Sequence, residues 1–195
     1  ANGERTMFPD NGANADLEAS DLPSLDDIDG VYLSGYALLD FRSRDAVLAM
    51  IKKIKAAGKP IFFDPTTTGA MKIVSREEVL SWVSIMDGIL LNSEEALYLG
   101  DAKDVETAEA NLSQHTALVV IKLGSKGAMA IHGSEKAKVS AVTTNVVDTT
   151  GAGDSFAAGF IPKWLETSDL TAALSAGAAL AAKCVSSVGA RPPLN

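Results

Sequence analysis

The sequence predicts an α/β protein in which a mostly parallel β-sheet is covered by helices on both faces and carries an antiparallel hairpin at one edge. Two observations indicate this class. Short, almost continuously apolar runs alternate along the chain with longer segments that have helical spacing. After Gly124 the pattern changes to two short runs separated by Gly133-Ser134, which is typical of a hairpin.

Strand and helix patterns alternate through the part of the chain that precedes Gly124. Short apolar runs predict strands at residues 30–35, 60–64, 87–92 and 118–123. Apolar residues at helical spacing predict helices at residues 43–57, 75–84, 94–99 and 105–115. Gly58 stands where a C-terminal cap is expected, and Ser75 and Ser93 stand where N-terminal caps are expected. Glu78 would complete a capping box with Ser75.

The part of the chain after Gly124 is predicted to contain the hairpin and two helices. The hairpin strands are expected at residues 128–132 and 138–142, and the helices from residue 152 to about 165 and at 170–186. Pro162 lies inside the first of these helices and should kink it or end it early. No internal repeat or linker divides the sequence, which predicts a single domain over residues 1–195.

Composition excludes several classes of function. The formal net charge of -8 argues against a nucleic-acid partner, because phosphates would be repelled. No apolar run approaches the roughly 20 residues that a membrane helix needs. The single cysteine, Cys184, cannot form an internal disulfide, which favours a cytoplasmic location. One cysteine and two histidines also cannot supply a Cys/His metal site.

The loop at residues 148–154 contains the run Gly151-Ala152-Gly153-Asp154 immediately before a predicted helix. Backbone N–H groups in a first helical turn lack intrahelical acceptors, and the helix dipole makes them electropositive, so this loop predicts an anion site. The carboxylate of Asp154 would repel the anion and is better suited to taking a proton from an attacking hydroxyl. The alternative is an ordinary helix start with glycine turn residues.

A second glycine-containing loop, Gly124-Ser125-Lys126-Gly127, directly follows a predicted buried strand. Ligands of open α/β sheets bind beyond the carboxyl ends of the strands. Two glycines three residues apart allow the backbone to approach a phosphate, and Lys126 or the nearby Lys122 would add positive charge. The alternative is a simple turn.

Asn92 and Glu95 lie three residues apart at a third junction between a strand and a helix. A carboxylate here would suit Mg²⁺ held through water near a phosphate, because Mg²⁺ keeps several of its waters. The alternative is that Glu95 is simply an acid stabilised by the helix dipole in the first turn.

Together the three loops resemble the phosphofructokinase-B (ribokinase-like) family of carbohydrate kinases. The segment DTTGAGDSF at residues 148–156 is similar to the family's C-terminal signature, NSEE at 92–95 to its N-x-x-E motif, and KLGSKG at 122–127 to its nucleotide loop. The resemblance covers essentially the whole chain, from GERT at residues 3–6 to Arg191-Pro192. It implies a ribokinase-like three-layer sandwich and an ATP-dependent kinase.

The resemblance implies a role for each residue at the phosphoryl-transfer site. Asp154 would be the base that deprotonates a primary hydroxyl of a sugar. Gly151, Ala152 and Gly153 would form the anion hole for the γ-phosphoryl group of ATP. Asn92 and Glu95 would govern the placement of Mg²⁺ and phosphate, with Glu95 acting through water.

The resemblance also implies an ATP site and a cation site. The ATP site would be lined by Lys122, at a position where relatives often carry threonine, and by Gly124, Ser125, Gly127, Val185 and Gly189, the last two in the adenine pocket. Asp148 and Thr150, with carbonyl groups near Cys184, match a loop pair that holds a monovalent cation in many relatives. Potassium is therefore expected as a third cofactor beside ATP and Mg²⁺.

The acceptor is less narrowly defined than the nucleotide. Ribose, fructose and 2-keto-3-deoxygluconate are all compatible with the resemblance, and Arg5 and Tyr36 are predicted to line the sugar site. Asp64-Pro65 is similar to the segment that lines the cleft between sugar and phosphate. A nucleoside such as adenosine is the alternative substrate class, and a non-catalytic nucleotide-binding homologue is the alternative to an enzyme.

Part of the family pattern has no counterpart in this sequence. The first strands, the small β lid and the glycine-rich motif that holds the sugar are absent, so the sequence resembles the C-terminal portion of such a kinase. The lid commonly forms the dimer contact in the family. We therefore expect this chain alone to bind sugar weakly, and expect any homodimer to form through the lid of the full-length protein.

Overall fold

A computed structural model describes residues 12–193, and within this range six strands form one sheet in the order in which they occur along the chain. The strands are β1 (Val31–Ser34), β2 (Ile61–Asp64), β3 (Gly88–Asn92), β4 (Leu118–Lys122), β5 (Ala128–His132) and β6 (Glu135–Val139). β1 to β4 are parallel neighbours, whereas β5 and β6 are antiparallel. The predicted hairpin therefore extends one edge of a parallel sheet.

Helices connect the parallel strands and follow the hairpin. The helices are α1 (Tyr36–Leu39), α2 (Arg44–Ala56), α3 (Thr68–Met71), α4 (Arg76–Val83), α5 (Ser93–Leu99), α6 (Val105–Leu112), α7 (Ala152–Thr167) and α8 (Leu170–Val185). Each parallel crossover contains two of these helices. None of the helices between residues 12 and 193 is long and apolar enough to cross a membrane.

Side chains of the parallel strands alternate between two faces of the sheet, and each face has its own hydrophobic core. In β2, Ile61 and Phe63 belong to a core that also contains buried residues of α2, α4, α5 and α6, whereas Phe62 belongs to the opposite core with residues of α7 and α8. Full burial of a large apolar side chain stabilises a fold by about 1.5–3 kcal/mol, so both faces must be covered. The three-layer sandwich predicted from the apolar strands is confirmed.

Helix α7, which begins at the predicted anion loop, is held in place by close packing on α8. A Cβ atom at Gly159 of α7 would come within 2.5 Å of the carbonyl oxygen of Ala176 in α8. The rings of Phe156, Phe160 and Trp164 stack in sequence along α7. This packing explains why α7 continues past Pro162 to Thr167. The proline therefore does not end the helix early, and the alternative that it kinks the helix stays a prediction.

Two elements, β6 and α6, have a boundary that differs from the prediction by three residues. Strand β6 begins three residues earlier than expected, because Gly133-Ser134 forms a two-residue loop that pairs His132 with Glu135. The apolar run at 138–142 had suggested a later start. Helix α6 ends at Leu112 rather than near residue 115, and the short helices α1 and α3 were not predicted.

The predicted helix caps are partly correct. Ser75 caps α4 by accepting a hydrogen bond from the Glu78 N–H, but the Glu78 carboxylate pairs with Arg44 of α2 instead of completing a capping box. Helix α5 is capped by Asn92, not by Ser93. The single domain over residues 1–195 remains a prediction.

Candidate active site

Polar side chains meet at the carboxyl edge of the parallel strands, where the start of α7 approaches the sheet. Asp64 and Lys122 end β2 and β4, and Tyr32 lies in β1. Asp154 reaches the same edge from the first turn of α7. The topology therefore brings together residues that are far apart in the sequence.

The start of α7 has no side-chain cap. Its N-cap residue is Gly151, which adopts a left-handed conformation with φ of 75° and ψ of 3°. A Cβ atom there would overlap the carbonyl oxygen of Ala190. Both this overlap and the left-handed conformation therefore require glycine at this position. Ser155 N–H donates to the Gly151 carbonyl and Ala152 N–H to the Thr149 carbonyl. The helix begins where the sequence predicted, and its N-terminal end has backbone N–H groups rather than a capping side chain.

Asp154 is exposed in the first turn of α7 and faces the sheet edge. The Tyr32 hydroxyl donates a hydrogen bond to its Oδ1 at 3.2 Å. Partial burial, followed by the charges of Asp64 and Asp154, raises the pKa of Tyr32 above its ordinary value, which keeps the phenol a donor. The sequence analysis did not predict Tyr32 as a site residue. Its position as a hydroxyl-bearing aromatic residue in an edge strand is the only local indication of such a role.

Lys122 and Asp64 form an ion pair beside the start of α7. The Lys122 Nζ lies 2.8 Å from Asp64 Oδ2, and the two side chains are 15% and 11% exposed. A Cβ atom built on Gly153 would lie 3.4 Å from the same Nζ. The ammonium group therefore sits against the first turn of α7, between Asp64 and the backbone of the predicted anion hole.

The turn after β2 is strained where it leaves Asp64. Thr66 has a φ of 80° although it is not glycine, and its N–H donates to Asp64 Oδ1 at 3.0 Å. Its hydroxyl oxygen is buried without a hydrogen-bond partner among residues 12–193. Such strain is characteristic of ligand-binding sites. The aspartate is thus held by Thr66 through one oxygen and by Lys122 through the other.

Asn92 and Glu95 form a closed capping box at the start of α5. Glu95 N–H donates to Asn92 Oδ1 at 2.9 Å, while Asn92 N–H and Nδ2 donate to the two carboxylate oxygens of Glu95 at 2.7 and 2.6 Å. Glu95 is 2% exposed, and burial raises its pKa to about 7 despite those hydrogen bonds and the nearby Lys122. Both oxygens of Glu95 therefore have partners within the helix start.

The two glycines of the 124–127 turn have different environments. Gly124 has a φ of 60° and open space around it, and Ser125 and Lys126 are exposed. Gly127 is buried, has a φ of 95°, and a Cβ atom there would overlap the carbonyl oxygen of Val139. Gly127 thus lets the turn pack against β6, and Gly124 and Ser125 form its open side. Lys122 ends β4 just before this turn, and its Nζ lies against the first turn of α7. The turn and the start of α7 are therefore linked through Lys122.

The segment after α8 is tied to the loop before α7. Asp148 accepts hydrogen bonds from Thr150 N–H at 2.9 Å and from Gly189 N–H at 3.1 Å. The Val185 carbonyl accepts from the N–H groups of Val147 and Asp148. The residues predicted for the monovalent cation and the adenine pocket are therefore brought together. Their shared contacts are hydrogen bonds between the two segments, and the cation itself remains a prediction.

Of the two residues predicted to line the sugar site, the structure describes only Tyr36. Tyr36 begins α1 and is 46% exposed, directly after Gly35, whose N–H donates to the Asp64 carbonyl. This places Tyr36 next to the strand end that holds Asp64. Arg5 lies outside the described residues.

The carboxylates of Asp64 and Glu95 at this edge are engaged by other groups of the chain. Between residues 12 and 193 no three His, Cys, Asp or Glu side chains form a metal-binding group. Mg²⁺ typically keeps several waters and binds through one or two carboxylates together with substrate phosphates.

Comparison with known proteins agrees with this architecture. The whole chain, residues 1–195, matches the model of the pfkB family of carbohydrate kinases. The chain belongs to this family. A sugar kinase of Archaeoglobus fulgidus, described as uncharacterized, is 30% identical over 195 residues that cover 98% of this chain and 76% of that protein.

Two solved kinases have the same fold. Adenosine kinase from Sinorhizobium meliloti superimposes with a TM-score of 0.84 and 28% identity over 92% of this chain and 56% of its own. Fructokinase from Vibrio cholerae O395, in a form that contains fructose, ADP and calcium ion, has a TM-score of 0.79 and 25% identity over 89% of this chain and 60% of its own. This chain of the pfkB family therefore spans little more than half of either solved kinase.

Proposed function

We propose that this chain carries the nucleotide-binding and catalytic half of a kinase that transfers the γ-phosphoryl group of ATP to a hydroxyl group of a small sugar. The main support is the start of α7, where Asp154 faces the sheet edge beside an uncapped helix N-terminus. A carboxylate next to such an N-terminus can remove a proton from an acceptor while the N–H groups hold the phosphoryl oxygens. The fructokinase match, with sugar and ADP bound, supports this assignment.

In this proposal each part of the site has a separate task. Asp154 takes the acceptor proton, and Tyr32 orients its carboxylate by donating to Oδ1. The N–H groups of Gly151 and Gly153 hold the transferred group, and that of Ala152 joins them by giving up its hydrogen bond to the Thr149 carbonyl. Bound Mg²⁺ would neutralise phosphate charge, with Glu95 as a carboxylate near the site rather than a direct ligand, because its oxygens already accept hydrogen bonds.

The nucleotide would lie between the 124–127 turn and the segment after α8. Gly124 and Ser125 offer an open, exposed backbone to the phosphates. Exposed valines at positions 146, 147 and 188 provide apolar surface for a purine near Val185 and Gly189. Potassium at Asp148 and Thr150 would stabilise the loop that leads into Gly151.

A nucleoside is the second candidate acceptor, because the adenosine kinase from Sinorhizobium meliloti also superimposes on this chain, with a TM-score of 0.84 and 28% identity. The test is ADP release by the full-length protein with Mg-ATP and each of ribose, fructose, 2-keto-3-deoxygluconate and adenosine. We expect Asp154→Asn to lower kcat by about 10²- to 10⁴-fold for the accepted compound, the usual contribution of a general base. Affinity for ATP should stay nearly unchanged.

Asp45→Asn is the matched control, because Asp45 is an exposed first-turn aspartate of α2. It removes the same charge and should leave kcat unchanged. Full activity of Asp154→Asn would refute the assignment of the base. Nucleotide binding without ADP release from any acceptor would favour the non-catalytic homologue.

A further inference from the structure

Lys122 has a position that its ion pair with Asp64 does not explain. The charges of Asp64 and Asp154 both act on Tyr32 at the sheet edge. The charges of Asp64 and Lys122 both act on Glu95. The Lys122 ammonium lies beside Asp64 with its side chain 15% exposed. Removing an ion pair from water costs free energy that the pairing often fails to recover. Stability alone is therefore a weak reason for a lysine at this position.

The ammonium group also points at the place where the phosphoryl group would bind. Its Nζ would be 3.4 Å from a Cβ atom built on Gly153, the middle residue of the proposed anion hole. Asp64 is held independently, because its other oxygen accepts the Thr66 N–H. A lysine side chain is a mobile point charge on a four-carbon stem. Lys122 can thus change partners without any movement of β4 or of Asp64.

We propose that Lys122 leaves Asp64 when ATP binds and contacts the oxygens of the γ-phosphoryl group at the start of α7. This inference rests on the proposed kinase function and gives a specific role to a residue that was predicted only to line the ATP site. During transfer the acceptor proton passes to Asp154, the acceptor oxygen forms a bond to phosphorus, and the bond to the β,γ-bridging oxygen breaks with its electron pair leaving on ADP. Lys122 stabilises the negative charge on the transferred group throughout and neither gains nor loses a proton.

Nucleotide binding tests the contact without relying on turnover. The full-length protein is titrated with the magnesium complexes of ADP and of a non-hydrolysable ATP analogue, by calorimetry. We expect Lys122→Met to weaken binding of the analogue by about 10- to 100-fold, the range for a hydrogen bond between charged groups, and to change ADP binding much less. Lys122→Arg retains the charge and should recover most of the analogue affinity. Equal losses for ADP and the analogue, or no loss, would overturn the proposal.

Asp64→Asn separates this role from a structural one. If Lys122 only holds Asp64 in place, Asp64→Asn should weaken analogue binding as Lys122→Met does. If Lys122 serves the phosphoryl group, Asp64→Asn releases the ammonium and removes a negative charge, so the analogue should bind as well as before or more tightly. This variant also decides the question if Lys122→Met fails to fold.

Turnover then distinguishes failure of this inference from failure of the kinase proposal. With an accepted sugar, Lys122→Met should lower kcat by about 10²-fold, as removal of one donor to a developing oxyanion does. The control Lys52→Met removes an exposed lysine of α2 and should leave kcat unchanged. An active protein whose kcat and analogue affinity both survive Lys122→Met would refute the role of Lys122 and leave the kinase standing. A protein that binds nucleotide but uses no acceptor would refute the kinase, and the two titrations would still decide whether Lys122 meets the terminal phosphoryl group.

Discussion

Helices α5 and α7 both begin at the carboxyl edge of the sheet, and both carry an acid at the third residue after the N-cap, yet their caps differ. In α5 the cap is Asn92, and the acid Glu95 folds back onto it. In α7 the cap is Gly151, which has no side chain, and the acid Asp154 points outward to Tyr32. A helix N-terminus binds anions only while its donors lack partners.

The difference shows that the hydrogen bonding of an acid in a first helical turn depends on which residue occupies the N-cap. Asparagine at the N-cap accepts the Glu95 N–H and donates to its carboxylate, so the start of α5 is closed by its own side chains. Glycine at the N-cap of α7 leaves that position bare. At 92–95 the N-x-x-E motif closes the start of α5 with its own side chains, whereas at 151–154 no side chain caps the start of α7.

The largest expected effect on stability comes from adding a side chain at Gly151, the N-cap of α7. Gly151→Ala should lower the free energy of unfolding by about 3 kcal/mol, because the new Cβ adds left-handed strain to an overlap with the Ala190 carbonyl. Gly153→Ala is the control: its Cβ meets only Lys122 Nζ, and stability should change by about 1 kcal/mol or less. Urea unfolding measures both. Similar stabilities for the two variants would show that the start of α7 does not depend on the bare cap.

The buried Glu95 at the start of α5 should make the free energy of unfolding depend on pH. Because the pKa of Glu95 is raised from 4.5 to about 7 in the folded chain, the folded state holds the proton more tightly than the unfolded state. This contribution is complete below pH about 4.5 and is lost as the pH rises through about 7. We expect the free energy of unfolding, relative to Glu95→Gln, to fall by an amount on the order of 2 kcal/mol over that interval.

Glu95→Gln is the right reference because it removes the titrating group and leaves the other carboxylates in place. The measurement is urea unfolding of both proteins at several pH values between 4 and 8. A difference between them that does not vary with pH would mean that Glu95 ionises normally and that the closed start is more open to water than its 2% exposure indicates.

The smallest expected effect comes from removing the cap of α5. Asn92→Ala should lower the free energy of unfolding at pH 5 by about 1 kcal/mol, the usual cost of losing an N-cap side chain. The cost should grow at pH 8, since ionised Glu95 then lacks the Nδ2 donor. Asp104→Ala removes the exposed cap of α6 and provides the comparison. A cost that is the same at both pH values would separate the cap from the ionisation of Glu95.

Much of the fold could be predicted because its signals are local. The apolar runs of β1 to β4 and the helical spacing between them are enough to indicate a parallel sheet with two covered faces. Errors arose where packing or turn chemistry outweighed the residue pattern. The close packing of α7 on α8 carries the helix past Pro162, and the two-residue turn that pairs His132 with Glu135 starts β6 earlier.

The candidate site was predicted less completely than the fold. The glycines and Asp154 stand in one recognisable run, so the loop before α7 was identified directly. Tyr32 was missed because its partner Asp154 lies 122 residues away in the sequence, and nothing near Tyr32 indicates that α7 will dock there. The pairing of Lys122 with Asp64, 58 residues apart, was hidden for the same reason.

Periodicity, turn residues and motifs are properties of neighbouring residues, so the layered α/β class, the run that opens α7 and the likeness to the pfkB family could be predicted without knowledge of any contact. Tertiary contacts set which acid is turned inward, which acid faces the sheet edge and which lysine lies against the helix start. Those outcomes depend on how strands pair and how α7 packs on α8, and such contacts join residues that no local pattern relates.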